Sequence, residues 1–362
     1  MSVLSTPSAN IMDLTFLELQ AQLAVWKEPR FRAQQLWKWI YVHLAADFEQ
    51  MSNLPRALRD RLARHYRLDP LVPVDEAISE DLLTHKVLFR LPDGQSVESV
   101  MMEYDRRRTV CVSSQVGCPV GCGFCATGQS GYVRDLGAAE IIAQPLHFAR
   151  ELKHRDEVLT NIVVMGMGEP LMNYEAVWQA VETWNDHRGL NVGARKITLS
   201  TAGYVPGIRR LSAEELQVGL AVSLHAAEDG LRNQLVPLNR AYPLSELLTA
   251  CREYTTLTGR RITIEYALID GVNDSVAEAL RLADLLRGLL CHVNLIPLNP
   301  TTGGSYRPSP RARVHAFQQA LMERHIETTV RLRRGIDIQA GCGQLRQRHQ
   351  EGQDGHLPPT SA

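Results

Sequence analysis

The sequence contains no run of about 18 apolar residues, the length that a membrane-spanning helix requires. Its first residues also lack the basic segment followed by an apolar one that marks a secretion signal. We therefore expect a cytoplasmic protein without a membrane partner. Disorder as the main state is excluded as well, because 44% of the 362 residues are apolar and 22% are charged, as in ordinary globular proteins.

An excess of charge of one sign is also missing, since 39 basic residues stand against 40 acidic ones. The local balance differs from this total: residues 27–67 hold nine Lys/Arg against four Asp/Glu, and residues 301–350 hold nine against three. Both ends are basic, so near-neutrality does not exclude a nucleic-acid partner. In the first basic stretch Trp37 and Lys38 are candidates for nucleic-acid contact. A solvated face over a small helical core is the equally weighted alternative.

The seven cysteines are an odd number, which argues against a disulfide scaffold in a reducing compartment. Three fall within eight residues, at Cys118, Cys122 and Cys125. A structural zinc site needs four ligands, usually as two pairs, whereas three thiolates suit a four-iron cluster that keeps one iron open for a substrate. We expect the cluster, with zinc as the alternative. Cys251 and Cys291 lie in helical stretches and are expected to be small buried apolar side chains.

The N-terminal part of the chain reads as helical. Apolar residues at helical spacing predict a helical module over residues 1–75, within which Pro29 and Pro55 mark helix boundaries. The period then changes, because two extended runs separated by Pro-Asp-Gly predict a β-hairpin over residues 84–103. Glu98 lies on the second strand of this hairpin.

From about residue 108 to residue 333, short apolar strands alternate with helix-length segments, which is a βα repeat. Six units predict a partial (β/α)6 barrel rather than a full barrel of eight, so the fold class is α/β with a helical module and a hairpin extension. The domain containing the barrel should cover residues 76–346 and end in a loop over 333–346, and residues 347–362 should form a disordered tail. The strands are predicted at Thr109–Ser113, Asn161–Met165, Lys196–Ser200, Gly219–Leu224, Arg261–Leu268, His292–Pro297 and Thr328–Leu332.

The cysteine spacing, with an aromatic residue before the last Cys, resembles that of the radical S-adenosylmethionine (SAM) superfamily. Further motifs resemble the RlmN/Cfr group of radical SAM RNA adenine methyltransferases within it, over about residues 84–346. These motifs are Ser113-Ser-Gln-Val-Gly-Cys118, Gly166-Met-Gly-Glu-Pro170, Ser200-Thr-Ala-Gly203, Ser223-Leu-His-Ala226 with Arg232, Leu235, Pro237 and Asn239, Glu265-Tyr266, Gly271-Val-Asn-Asp274, Leu295-Ile-Pro-Leu-Asn299 and Gly341-Cys-Gly-Gln-Leu345.

The resemblance implies one [4Fe-4S] cluster on Cys118, Cys122 and Cys125, and two SAM molecules per turnover. The open iron would chelate the amino and carboxylate groups of SAM, and an electron from the cluster would cleave SAM to a deoxyadenosyl radical. The residues expected around SAM lie at the carboxyl ends of predicted strands, where barrel enzymes build their sites. They are Gly168, Glu169, Ser200, Ser223, Leu224, His225 and Asn299.

The resemblance also implies that Cys342 carries a methyl group, from which the radical removes a hydrogen before the methylene adds to adenine. Glu98 would then take the ring proton, and Cys111 would release the RNA by forming a transient disulfide with Cys342. From the residues alone, the alternative for Cys342 is a free loop thiol, and the preferred interpretation of Glu98 is an ordinary strand carboxylate.

The RNA has to be held while an adenine leaves its stack, which takes contacts to the RNA backbone. Besides the N-terminal helices, the candidates are Arg331, Arg333 and Arg334 beside Cys342. We expect a monomeric enzyme that methylates adenine C2 in 23S rRNA and an adenine beside the anticodon in tRNA, with an electron donor such as flavodoxin. Methylation of C8 on the same ribosomal adenine is the first alternative, and a non-catalytic iron–sulfur or zinc protein that binds RNA is the second.

Overall fold

The computed structural model describes residues 9–299, 304–331, 338 and 344–346. Its N-terminal part is helical, as predicted. The helix α1 begins after Thr15, whose hydroxyl accepts from the Glu18 N–H while the Glu18 carboxylate accepts from the Thr15 N–H, so two otherwise unpaired donors are satisfied. A 3-10 helix, Ile11–Asp13, precedes the three helices α1 Phe16–Val25, α2 Phe31–Tyr41 and α3 Arg56–His65.

A ten-stranded sheet forms the rest of the framework. Its first four strands are antiparallel neighbours, and from the fourth onward every pairing is parallel. In spatial order the strands are β1 Val72–Ile78, β2 Thr84–Arg90, β3 Ser96–Tyr104, β4 Arg107–Cys111, β7 Asn161–Val164, β8 Ile197–Thr201, β9 Gly219–Ser223, β10 Ile262–Leu268, β11 Cys291–Pro297 and β12 Thr328–Val330.

A second sheet of two strands, β5 Gln115–Gly117 and β6 Tyr132–Asp135, was not predicted from the sequence. It brackets the cysteine loop. The remaining helices connect the parallel strands, and they are α4 Ala126–Gln129, α5 Ala138–Lys153, α6 Tyr174–Asn185, α7 Val205–Ser212, α8 Asp229–Leu235, α9 Leu244–Thr258, α10 Val276–Leu285 and α11 Arg311–Glu323.

The two faces of the large sheet have different neighbours. In β8 the side chains of Ile197, Leu199 and Thr201 are buried, whereas those of Thr198 and Ser200 on the other face are half-buried. The sheet also curls, because the Arg331 guanidinium that follows β12 lies 4.0 Å from the Met102 sulfur on β3. The half-buried face is therefore concave, as in the predicted partial barrel.

The predicted hairpin is part of a larger antiparallel unit. The strands β2 and β3 pair as expected, and β1 adds to β2 with a register shift between Pro73 and Asp75. The sequence Val72-Pro-Val-Asp-Glu-Ala-Ile78 contains a proline and two acidic residues, which weaken the strand signal but are tolerated at a sheet edge. The strand β1 spans the predicted domain boundary between residues 75 and 76, so the sheet begins within the last residues assigned to the helical module. The division into domains stays a prediction.

The N-terminal helices and the helices around the sheet share one apolar core. Two polar contacts accompany this packing: the Asp13 carboxylate accepts from the Ala139 N–H at the start of α5 (2.9 Å), and the Gln179 side chain of α6 donates to the Asp13 carbonyl (2.7 Å). In the described part of the chain, no helix is long and apolar enough to cross a membrane.

Candidate active site

The loop between β5 and β6 carries Cys118, Cys122 and Cys125. Its entry is tight, since Gly117 has φ +78° and an added Cβ would lie 1.9 Å from the Gly131 carbonyl oxygen. The same carbonyl accepts from the Cys118 N–H at 2.9 Å, so the loop is closed at its base. Only glycine fits this position.

The three thiols lie close enough to influence one another. The pKa of Cys118 is raised to about 12, mainly by burial and to a smaller extent by the nearby Glu169 and Cys125. Burial also raises the pKa of Cys122, which both other cysteines raise and Arg232 lowers. Without a metal these two thiols are therefore neutral, and binding iron would release their protons.

The turn Gly166-Met-Gly-Glu-Pro170 follows β7, and it packs directly against residues 112–115. A Cβ at Gly166 would lie 2.7 Å from the Ser113 hydroxyl, and one at Gly168, where φ is +110°, would lie 2.7 Å from the Gln115 Cβ. The glycines are thus required by this contact within the chain. Nothing in the sequence indicates the contact, and the role of Gly168 toward SAM rests on resemblance alone.

Glu169 is a buried carboxylate at the mouth of the barrel. Its oxygens accept from the N–H groups of Ala202 (2.6 Å) and Leu171 (3.2 Å). Burial nevertheless raises the pKa of Glu169 to about 7, despite these hydrogen bonds. A carboxylate in this state would be stabilised by an ammonium group placed beside it.

His225 lies directly beyond the end of β9 in the left-handed region, with φ +62°. Its Nδ1 accepts from the Ala267 N–H at 3.0 Å, so Nε2 carries the proton of the neutral ring. Burial, with a smaller effect of Arg232, lowers the pKa of His225 to about 3. The ring also contacts Phe124 edge-on at 4.9 Å, which ties the cysteine loop to the end of β9.

The other residues expected around SAM also lie at strand ends. Ser200 is the last residue but one of β8 and Ser223 is the last of β9. Leu224 follows directly, and its N–H donates to the Glu265 carbonyl at 3.0 Å. Asn299 lies two residues beyond β11 and is exposed. The structure thus places these residues on one edge of the sheet, and their contacts with SAM remain a prediction.

Arg232 belongs to a sequence motif for which the sequence indicates no role. In the structure it lies at the ends of β8 and β9. Its fully buried guanidinium donates to the carbonyls of Ala202 (2.6 Å), Ser223 (3.2 Å) and Leu224 (3.0 Å), and to the Asn239 side chain (2.8 Å). Burial lowers its pKa to about 10, so it stays charged. A fixed cation therefore joins the ends of β8 and β9 beside the cysteine loop.

Glu98 and Cys111 share the concave face on adjacent strands. Cys111 lies opposite Val100, two residues from Glu98. The Glu98 carboxylate is 2.7 Å from the Lys86 ammonium and accepts from the Arg346 N–H at 2.6 Å. Strand register brings Lys86 and Glu98 together although they are 12 positions apart, and the segment 344–346 brings the Arg346 N–H to Glu98 from 248 positions away.

Several predicted residues lie outside the described part of the chain, namely Cys342, Arg333 and Arg334. No disulfide joins the six cysteines that the structure describes, so the predicted disulfide of Cys111 has no support there. It remains an expectation about Cys342.

The surface expected to contact RNA needs one correction. Trp37 is only 3% exposed and packs edge-on against Phe16 with ring centroids 5.4 Å apart, so its indole belongs to the core of the helical module. Helical periodicity places it on the buried face together with Leu36 and Ile40. Lys38 is exposed, as is Arg331.

The donor set fits the cofactors that the resemblance implies. Three neighbouring half-buried thiols suit an iron–sulfur cluster, and a buried carboxylate of raised pKa suits the amino group of SAM. No group of three or more His, Cys, Asp or Glu side chains within the described ranges is arranged to hold a single metal ion. In a four-iron cluster each thiolate binds a different iron atom, so convergence on one point is not required.

Comparison with known families divides the chain in two. Residues 9–68 match the ribosomal RNA large subunit methyltransferase N-terminal domain, and residues 112–283 match the radical SAM superfamily. Members of that superfamily use a [4Fe-4S] cluster and SAM.

Curated relatives extend the match over nearly the whole chain. A probable dual-specificity RNA methyltransferase RlmN of Roseiflexus castenholzii is 46% identical, over 93% of this chain and 95% of its own. The dual-specificity RNA methyltransferase RlmN 1 of Myxococcus xanthus is 49% identical, over 94% of this chain and 95% of its own.

Among solved structures, a radical SAM methyltransferase from Sphaerobacter thermophilus superposes with a TM-score of 0.91 at 54% identity, covering 93% of this chain and 98% of that one. These relatives are methyltransferases, which sets aside the alternative of a non-catalytic RNA-binding protein. With its cysteine loop and buried carboxylates at one end of a partial barrel, the chain belongs to the RlmN family of radical SAM RNA methyltransferases.

Proposed function

We propose that this enzyme methylates carbon 2 of an adenine in the peptidyl-transferase centre of 23S rRNA, and of the adenine 3′ of the anticodon in tRNAs, through a methyl group carried on Cys342. The observation that carries the proposal is the common face of Glu98 and Cys111 on adjacent strands. The relatives named for dual specificity support the two RNA substrates.

The target atom determines the type of chemistry. Carbon 2 of adenine is a poor nucleophile, so it cannot attack the methyl group of SAM as nitrogen and oxygen atoms do. The cluster on Cys118, Cys122 and Cys125, together with SAM, would supply one-electron chemistry that removes a hydrogen atom. Glu169 would hold the SAM amino group, and His225, Ser200 and Ser223 would line the rest of its site.

The chain's own residues would carry the methyl group and resolve the product. Cys342 accepts the methyl group on sulfur, and its methylene carbon becomes bonded to the adenine. Glu98 then accepts the ring proton, once the adduct has given up one electron, which the iron–sulfur cluster would take. The Cys111 thiolate attacks the Cys342 sulfur, so that a sulfur–sulfur bond forms while the sulfur–carbon bond breaks. The electron pair stays with the carbon, which takes up a proton to become the methyl group. Arg346 supports this arrangement, because it follows Cys342 by four residues and its N–H donates to Glu98.

The proposal includes an electron donor of the flavodoxin type, since cleavage of SAM consumes an electron. It also includes a monomer, and a cytoplasmic location where rRNA and tRNA are found. The division into a helical module over residues 1–75, a catalytic domain over 76–346 and a tail over 347–362 belongs to the same proposal.

The test is anaerobic reconstitution of the enzyme with iron and sulfide, followed by incubation with SAM, a reductant and unmodified RNA. We expect deoxyadenosine to form, and mass spectrometry of the nucleosides to detect 2-methyladenosine in both 23S rRNA and tRNA. Exclusive formation of 8-methyladenosine would assign the C8 reaction instead. Absence of methylation by an enzyme that cleaves SAM would contradict the proposal.

The Cys111→Ala variant examines the resolving step. We expect it to form the adduct but not release it, so that RNA stays covalently attached to Cys342 and co-migrates with the protein under denaturing conditions. Cys251→Ala is the matched control, because Cys251 is a buried thiol of α9 within the main apolar core and has no part in the proposed transfer. Normal release of methylated RNA by Cys111→Ala would remove Cys111 from the mechanism.

A further inference from the structure

Lys86 is a fully buried lysine in the middle of β2. Its side chain is 0% exposed, and its ammonium lies 2.7 Å from a Glu98 carboxylate oxygen on β3. Lysine is almost never buried completely unless it is paired, because the charge loses its hydration. No motif in the sequence marks Lys86.

The strand register places Lys86 in the row of residues that contains the resolving cysteine. Lys86 lies opposite Val100, Val100 lies opposite Cys111, and Cys111 lies opposite Val163. Residues opposite one another share a face, so the Lys86 side chain belongs to the concave face. On the outer face of the same strands, Val87 and Phe89 belong to the main apolar core, and the Phe89 ring lies 5.0 Å from the His147 ring of α5.

The two oxygens of Glu98 have different donors. One is paired with the Lys86 ammonium, and the other accepts from the Arg346 N–H at 2.6 Å. Both contacts hold the carboxylate in one orientation on the concave face. In the described part of the chain, the charged or titratable groups on this face include Lys86 from β2, Cys111 from β4 and the Arg346 side chain from residues 344–346. Arg331, which reaches Met102 on β3, and the buried Glu265 of β10 lie on it as well.

We propose that Lys86 is a positioning residue that keeps Glu98 ionised and oriented for proton transfer, and thereby determines the pH range of product release. The inference rests on the proposed function, in which Glu98 is the base. In the step concerned, a carbon–hydrogen bond of the adenine adduct breaks, its electron pair stays in the ring, and the proton moves to a Glu98 oxygen. Lys86 keeps its three protons throughout and acts only through Glu98.

Replacing Lys86 by a neutral residue should leave deoxyadenosine formation intact but slow the release of methylated RNA from Cys342. A carboxyl group this buried takes up a proton when its cationic partner is removed, and a protonated acid cannot accept the adduct proton. Deoxyadenosine formation precedes this step and does not need Glu98. A Lys86→Met enzyme should therefore still produce deoxyadenosine while RNA remains attached to Cys342.

The experiment is single-turnover methylation by reconstituted holoenzyme over a range of pH, with deoxyadenosine and released methylated RNA measured in parallel. For Lys86→Met we expect release at neutral pH to fall by about tenfold or more, and the acidic limb of the release profile to move to higher pH by about one unit or more. Lys153→Met is the matched control, because Lys153 is an exposed lysine of α5 that donates to the Val42 and His43 carbonyls. Its profile should match that of the unsubstituted enzyme.

Glu98→Gln distinguishes a failure of Glu98 as the base from a failure of Lys86 as its positioning residue. If Glu98→Gln releases methylated RNA with an unchanged pH profile, the base assignment in the proposed function fails. If Glu98→Gln is blocked but a folded Lys86→Met enzyme keeps the original acidic limb and ratio of products, the inference about Lys86 is overturned while the proposed function stands.

A second measurement needs no substitution of the lysine. The infrared difference spectrum between the unsubstituted enzyme and Glu98→Gln at neutral pH should contain the bands of an ionised carboxylate. The carbonyl band of a neutral carboxylic acid in that spectrum would overturn the inference, even if Lys86→Met did not fold.

Discussion

Gly128 illustrates how one missing side chain can determine the shape of the cysteine loop. An added Cβ would lie 2.8 Å from both the backbone nitrogen and the carbonyl oxygen of Cys122. Backbone atoms cannot rotate away as a side chain can, so the loop would have to move. The first turn of α4 therefore packs against the cluster loop only because residue 128 is glycine.

We predict that Gly128→Ala folds but binds its cluster poorly. Overpacking of this kind costs about 1–3 kcal/mol, and here the displaced atoms are those of a cysteine ligand. Iron content per chain and the visible absorption of the cluster after reconstitution measure the effect.

Gly123→Ala is the control for this prediction. Its Cβ would meet only the Tyr306 ring, at 3.9 Å, and its φ is not in the left-handed region. It should retain the cluster. Equal iron content in the two variants would show that the contact with Cys122 does not shape the loop.

Individual residues differ in how well the sequence predicts them. The three cluster cysteines could be recognised from the sequence because they are close together in it. The contact between Lys86 and Glu98 could not be predicted from the sequence, because it depends on the register of two strands. The prediction that Trp37 contacts RNA is wrong because it gives the basic neighbours more weight than the position of Trp37 on the buried face of α2.

At the scale of elements, β2 is attached to α5 by polar contacts on the outer face. The Glu151 carboxylate of α5 lies 3.2 Å from His85 Nδ1 and 3.0 Å from His147 Nε2. Burial raises the pKa of Glu151, but the hydrogen bonds from His147 and His85 outweigh it and lower the pKa to about 2. Burial lowers the pKa of His85, and its contacts with Glu151 and Glu76 outweigh this and raise it.

The signs of these shifts define a pH window. The stabilisation from Glu151 is fully present above about pH 4.5 and is lost as the pH falls through about 2. That from His85 is fully present below about pH 6.5 and is lost as the pH rises through its raised folded-state pKa. The attachment of β2 to α5 should therefore be strongest between these limits.

We predict that Glu151→Gln destabilises the protein most between about pH 5 and 6, by about 1 kcal/mol or less because the groups are partly exposed. Denaturant unfolding of both proteins across this pH range is the measurement. Glu157→Gln removes a carboxylate that pairs with Arg108 rather than a histidine, so its effect should not decline with rising pH. A Glu151→Gln effect that stays constant up to about pH 9 would contradict the assignment to His85.

Strands and helices could be predicted from the sequence where a single apolar pattern was clear. The parallel strands are short β-branched runs buried on at least one face, and each was located to within about two residues, except that residue 332 lies outside the described chain. The pair β5 and β6 was missed because three- and four-residue strands have no measurable period. Their pairing depends on Gly117 and Gly131 approaching closely.

At the scale of the whole molecule, basic charge concentrates on α3. Its exposed Arg56 and Arg64 lie on the side opposite the buried Leu58 and Leu62. With Trp37 in the core, α3 becomes the main candidate for contact between the helical module and the RNA backbone.

We predict that the double substitution Arg56→Glu and Arg64→Glu weakens RNA binding and lowers the slope of log affinity against log salt by about one for each phosphate that the variant no longer neutralises. Binding of rRNA fragments at several salt concentrations measures it. Arg195→Glu is the control, because Arg195 is exposed at the amino end of β8, opposite the edge that carries the candidate site. If the double variant binds as tightly and with the same slope as this control, α3 does not contact the backbone.

The continuous apolar core has a consequence for how the enzyme handles its substrate. Residues 9–68 match a separate family domain, yet Ile11 and Leu36 belong to the same packed cluster as Ile141 of α5 and Val181 of α6. A hinge needs a plane across which little packing runs, and the described residues form none between the helical module and the barrel. The distance from α3 to the cysteine loop is then fixed. If α3 binds the RNA backbone as predicted, we expect the enzyme to accept only RNAs whose fold spans that distance.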